Sequence, residues 1–234
     1  MNMSSEQERT SDKPHHTGHR DRLRQRFVKG GADALADYEM LELLLFMSIP
    51  RRDVKPLAKS LIHHFGSFAA VLNAPIPELV AAGLSENVAI ALRTVRAAAH
   101  HLLQDDIKGK EILSNWVQVT DYAKATMAHE KKEHFRVFFL NKKNELIADE
   151  VQQSGTVDHT PAYPREVMKR ALELGATAII LCHNHPSGDA TPSPDDIDMT
   201  NRIIDAGRPF NIIVHDHIIV SKSGCNSLRN MDLM

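Results

Sequence analysis

The stretch that most constrains how this chain folds runs from Thr177 to Asp196. Thr177-Ala178-Ile179-Ile180-Leu181-Cys182 is an apolar run of strand length that closes on His183-Asn184-His185 rather than on another apolar residue. A short apolar run bounded by turn residues reads as a buried strand. Side chains alternate faces along a strand, so His183 and His185 are expected to project to one side, and Cys182 to the other. Pro186, Gly188 and Pro192 shape a loop, after which Ser193 is placed to cap a helix, Pro194 to occupy its first position, and Asp196 to sit in its first turn.

Two imidazoles from a strand end and one carboxylate from a helix start make a ligand set for a small divalent ion. His183, His185 and Asp196 are the expected ligands, and zinc is the expected ion, one per chain. Three protein ligands leave a fourth position for water, the pattern of a catalytic rather than a structural zinc site, and bound water there has a pKa of roughly 7. Each piece has a plainer reading. Ser193 and Asp196 make an ordinary capping arrangement, and His183 and His185 are ordinary polar residues at a strand end. Those readings account for the pieces separately and not for their conjunction.

The spacing His183-x-His185, seven residues, Ser193, two residues, Asp196 resembles the metalloprotease motif of JAB/MPN domains. Asn184-His185-Pro186-Ser187-Gly188, with Pro192-Ser193 after it and Tyr163-Pro164-Arg165-Glu166 before it, resembles the bacterial RadC family in particular. The resemblance implies hydrolysis of an amide or isopeptide bond in a peptide or protein substrate. It also implies a glutamate general base just ahead of the first core strand, a position held here by Glu133, with Glu150 and Glu166 as competitors. It further implies that Ser193 stabilises an oxyanion, a role compatible with capping the helix. The implied fold of the C-terminal part is a cytidine-deaminase-like, JAB/MPN mixed sheet flanked by helices.

The rest of the chain sets the context. With 234 residues there is enough chain for one large or two small domains, and two cysteines, Cys182 and Cys225, are too few for a disulfide framework. No apolar run is long enough to span a bilayer, so a cytoplasmic protein without membrane association is expected. The formal net charge of −2 supplies no general attraction to nucleic acid. Arg20, Arg22, Arg24 and Arg26 form a local basic cluster at helical spacing, read as a solvated helix face.

Residues 1–18 are polar and are expected to be a disordered tail. Residues 19–105 read as helices: one ending at Gly30-Gly31, one over residues 37–46 with Asp37 as cap, one from Asp53 to Phe65, short ones over 67–73 and 75–82, and a long one capped by Ser85. The portion from Phe65 through Ala91 resembles a helix-hairpin-helix, a module that holds DNA phosphate on a Gly-x-Gly hairpin. The hairpin here is Gly83-Leu84-Ser85, and the missing second glycine favours packing or partner docking over DNA binding. Residues 106–113 lie in a charged stretch, from Gln104 to Leu113, expected as a linker.

From residue 114 to 234 the pattern mixes elements: a helix over 121–128, strands over 135–140 and 145–152 joined by a turn at 141–144, a bend at Ser154-Gly155-Thr156, a helix opened by Pro164, the histidine-ended strand with its helix, and one or two strands over 211–220. His215 and His217, two apart on the last of these, either orient a ligand imidazole or are strand-edge polarity, and stay outside the ligand set. The expected class is therefore α/β of the α+β kind, a mixed sheet preceded by an all-α domain. A DNA-associated accessory role or a metal-dependent nuclease is the alternative function.

Overall fold

The structure, a computed structural model, describes residues 18–154 and 163–234. Apart from Gly18, the expected tail therefore lies outside the described residues, as do Gly155 and Thr156 of the expected bend. The chain divides into two compact units, one up to Val95 and the other from Arg96.

The first unit is helical: α1 (His19–Gly30), α2 (Asp37–Ser48), α3 (Lys55–Phe65), α4 (Phe68–Asn73), α5 (Ile76–Ala81) and the opening turns of α6 (Glu86–Ile107). Leu23, Leu41, Leu45, Leu61, Leu79 and Leu92 from these helices share one core. Burying a leucine side chain contributes roughly 1.5–3 kcal/mol, so these residues outweigh any single surface pair. Local chemistry sets the boundaries. Gly66 ends α3 in the left-handed region at φ 94°, and the Ser67 hydroxyl accepts the Ala70 N–H at 3.1 Å to start α4. Three arginines of the basic cluster on α1 have partners within the unit: Arg20 donates to the carbonyls of Ile49 and Arg52, each at 2.6 Å, Arg24 donates to Asp21 at 3.1 Å, and Arg26 holds the Glu39 carboxylate at 2.7 and 3.0 Å.

The second unit is built on a five-stranded mixed sheet of order β2-β1-β3-β4-β5. Its strands are β1 (His134–Leu140), β2 (Leu146–Ser154), β3 (Ala178–Asn184), β4 (Ile213–Ser221) and β5 (Gly224–Ser227). β3 pairs antiparallel with β1 and parallel with β4, which places it at the centre, where every one of its residues is buried. That burial explains the unbroken apolar run that precedes His183.

The two faces of the sheet carry different cores. On one, Phe138, Leu140, Ile180 and Cys182 pack with Val119, Ala123 and Met127 of α7 (Trp116–Met127). On the other, Phe135, Val137, Phe139, Ile179 and Leu181 pack under α8 (Pro164–Glu173) and α9 (Pro194–Gly207), through Val167, Met168, Ala171 and Ile203. The pairing of β3 with β4 slips by one residue between Ile179 and Ile180, so that Val214 and Asp216 are the successive partners and His215 is the extra residue. The slip restores the phase so that His217 lies opposite Leu181, on the α8 and α9 side.

Several sequence expectations differ from this arrangement. The charged stretch over residues 106–113 contains Ile107 and Ile112, both fully buried in the core beside α7, and the Ile112 N–H donates to the Asn144 carbonyl at 2.8 Å. Its charged residues face water while its two isoleucines pack, and counting charges hides that division. α7 begins five residues earlier than residue 121, because Val119 already belongs to its buried face. β5 is an unforeseen element: its residues, Gly-Cys-Asn-Ser, show no apolar alternation, and it is held as a short edge strand by pairing with β4. Among the described residues, no helix is long and apolar enough to cross a membrane.

Candidate metal centre

Strand alternation carries Ile179 and Leu181 to the α8 and α9 side of the sheet, and His183 follows them there at the strand end. Cys182 points the other way, its Sγ 3.5 Å from Met127 Sδ. The backbone of His185 still pairs with β4, donating to the Val220 carbonyl at 2.8 Å, before the chain turns through Gly188 at φ 95°. Ser223 and Asn226, from the β4–β5 hairpin, bond the carbonyls of Gly188 and Ala190 and fix the loop from the other side. The chain then enters α9 with Ser193 as cap and Pro194 at the first position, which presents Asp196 from the first turn.

These elements bring together donor atoms of His183, His185 and Asp196, all within 4.8 Å of one another. The two ring Nε2 atoms are 2.8 Å apart; His183 Nε2 lies 3.2 Å from Asp196 Oδ1, and His185 Nε2 lies 3.5 Å from Asp196 Oδ2. Ser193 fixes the carboxylate: its N–H and its hydroxyl both donate to Asp196 Oδ2, at 2.8 and 2.6 Å, and the hydroxyl accepts the Asp196 N–H at 3.1 Å. One serine thus caps the helix and orients the acid.

The outward nitrogens of both rings are also engaged. His185 Nδ1 donates to the carbonyl of Asp189 at 2.8 Å. His183 Nδ1 is 2.7 Å from His217 Nε2, and His217 Nδ1 is 2.6 Å from the hydroxyl of Thr200 on α9. Phe135 stands edge-on to the His217 ring at 5.9 Å between centroids. His215 is placed elsewhere, its Nε2 2.7 Å from Asn144 Oδ1. The sequence spacing suggested that His215 and His217 act alike; the slip in β4 separates them.

Asn184, between the two histidines, has a residue type that predicts no role of its own, yet it organises the neighbouring segment. Its Oδ1 accepts the His134 N–H at 2.8 Å and its Nδ2 donates to the Lys132 carbonyl at 3.0 Å. These two bonds fix the backbone on either side of Glu133. Its charge is felt at His185, where it helps raise the ring pKa. Of the other two glutamates, Glu150 accepts Arg170 through both oxygens at 2.7–3.1 Å, and Glu166 pairs with Arg165 at 3.0 Å.

The electrostatics follow from this crowding. The hydrogen bond to Asp196 is the main cause that raises the pKa of His185. Asp196 is held well below the usual carboxylate range: burial opposes ionisation, and the adjoining His183 and His185 rings and the Ser193 hydroxyl outweigh it. Burial keeps His217 neutral, its pKa well below the ordinary histidine value. Two ring nitrogens and an ionised carboxylate converging on one point, with the far side of each ring tied to a fixed partner, form a donor set suited to a divalent cation.

Residues 113–233 match the family model described as RadC-like JAB domain. The match spans both strands and helices that carry the cluster, and the group of His183, His185 and Asp196 fits the metal site of a metal-dependent hydrolase of this kind. With more than half of its sequence inside that match, the chain belongs to the RadC-like JAB domain family.

Proposed function

We propose that the second unit is a zinc-dependent hydrolase of amide or isopeptide bonds, with a peptide or protein as substrate. The observation that carries this reading is the approach of His183 Nε2 and His185 Nε2 to 2.8 Å beside the Asp196 carboxylate, with both Nδ1 atoms turned outward to other partners. Zinc bound by such a set supplies a Lewis acid and an acidified water, and three protein ligands leave room for both water and a substrate carbonyl.

The remaining chemistry belongs to the chain. Glu133 is the general base: Asn184 fixes the backbone on either side of it, and its charge reaches His185. It takes a proton from the attacking water and returns it to the leaving amine. Glu150 is unsuited to that work, because the Arg170 guanidinium holds its carboxyl below the usual range and blocks both oxygens. Ser193 positions Asp196, and its hydroxyl is the donor assigned to the substrate oxygen as negative charge develops there.

The test is metal analysis and turnover on a peptide and isopeptide panel, with and without chelator, for the wild type beside His185→Ala and Glu133→Gln. His185→Ala should lose the ion. Glu133→Gln should keep it and lose turnover. A wild type that carries no stoichiometric divalent ion removes the reading.

A further inference from the structure

The proton positions around Thr200 can be assigned one after another. The Thr200 hydroxyl lies 2.6 Å from the backbone carbonyl of Asp196 and 2.6 Å from His217 Nδ1. A carbonyl only accepts, so the single hydroxyl proton goes to Asp196. His217 Nδ1 must then carry a proton and donate it to the Thr200 oxygen. The His217 ring is fully buried and neither of its nitrogens has a carboxylate partner, so the ring is neutral, which leaves its Nε2 as a bare acceptor. His183 Nδ1, 2.7 Å away, must therefore be the protonated nitrogen of its own ring. The His183 Nε2 lone pair is left facing His185 and Asp196.

Resting on the hydrolase reading above, we propose that Thr200 and His217 are positioning residues that set the His183 tautomer and so keep its Nε2 available to a divalent cation. The circuit closes on itself. The helix turn that presents the Asp196 carboxylate to the site also offers, through the Asp196 carbonyl, the acceptor that orients Thr200. One turn of α9 thus supplies one ligand directly and fixes a second through two intervening side chains. Phe135, edge-on to the His217 ring, and the slip at His215 hold that ring in place.

Removal of the hydroxyl has a directional consequence. In Thr200→Val the shape at this position is kept while His217 Nδ1–H loses its acceptor. His217 then takes the other tautomer, donates from Nε2 to His183 Nδ1, and pushes the His183 proton onto Nε2, where it opposes metal. Outer partners of ligand histidines typically change metal affinity by about 10–100-fold. Thr200→Ser keeps the hydroxyl and should restore the wild-type behaviour.

The experiment uses the full chain with histidine rings labelled with ¹⁵N. Ring tautomers are read by NMR in the metal-free protein, and cobalt(II) affinity is read by chelator competition for wild type, Thr200→Val and Thr200→Ser. The expected result is His183 protonated at Nδ1 in wild type and Thr200→Ser, a shifted tautomer in Thr200→Val, and cobalt affinity lower by about 10–100-fold in Thr200→Val alone. A wild type that binds cobalt while Thr200→Val binds it within about twofold, or a wild-type His183 protonated at Nε2, overturns the inference and leaves the hydrolase reading standing. A wild type with the expected tautomer that binds no cobalt overturns both.

Discussion

His183 and His185 meet through their Nε2 atoms at 2.8 Å, and neither ring can turn away, because His217 holds one and the Asp189 carbonyl holds the other. Two lone pairs at that distance repel unless a cation or a shared proton lies between them. Zinc should therefore stabilise the second unit, by about 2.7 kcal/mol at a free concentration 100 times its dissociation constant. Thermal melts with zinc and with chelator check this, and His183→Ala should abolish the difference.

Glu133→Gln and Glu150→Gln should separate cleanly. Loss of a general base lowers turnover by about 10²–10⁴-fold, and the effect should fall on Glu133, whose flanking backbone Asn184 fixes. Glu150→Gln loses only its pairing with Arg170, an interaction at a partly exposed site. Steady-state rates on the same substrate, with metal content matched, decide between them.

Ser193→Ala removes the helix cap and a hydroxyl donor to Asp196 together. Cap loss alone costs about 1 kcal/mol. Metal affinity should fall as well, since the carboxylate loses one of the two donors by which residue 193 holds Oδ2 and keeps the backbone N–H. Chemical denaturation of the chelated protein reads the first effect, and metal competition reads the second.

Acid should weaken the second unit through His129 and His215. Burial lowers the pKa of both below the ordinary 6.5, helped at His129 by Lys222 and Arg96 and at His215 by Arg229. As pH falls through about 6.5 the unfolded chain takes up these protons before the folded one does, so stability drops across that window. His215→Gln should flatten the slope of melting temperature against pH between about 7.5 and 5.5, measured in chelator.

Gly207→Ala should destabilise by about 1–3 kcal/mol, the cost of overpacking. A methyl group there would stand 2.7 Å from the backbone carbonyl oxygen of Ile212 and 3.6 Å from Met168 Sδ. Backbone dihedrals give no reason for this glycine, since its φ is −79°; close approach between the end of α9 and the chain entering β4 does. Denaturant midpoints for the single variant check the magnitude.

The grouping of His183, His185 and Asp196 was legible because its spacing is local: two residues on a strand end and one on the next helix start. Local chemistry also gave Ser193 its capping role and Gly66 the end of α3. What stayed hidden depends on contacts across the fold. Thr200 looks like any polar helix residue until α9 is laid against β4. Asn184 looks like a spacer until β1 is paired beside β3. Ile107 and Ile112 look like exceptions within a charged stretch until α7 and the sheet supply the core they fill.

The extra residue at His215 works as a half-step correction along β4. Upstream of it the strand keeps time with the hydrophobic packing beneath α8 and α9, through Val214; downstream it keeps time with the histidine pair, through His217. An evenly pleated strand would leave His217 on the far side of the sheet, facing α7, and His183 without the imidazole that now anchors it. A single irregularity in hydrogen-bond register thus lets one strand serve as both packing surface and scaffold for His183, two demands whose natural phases differ.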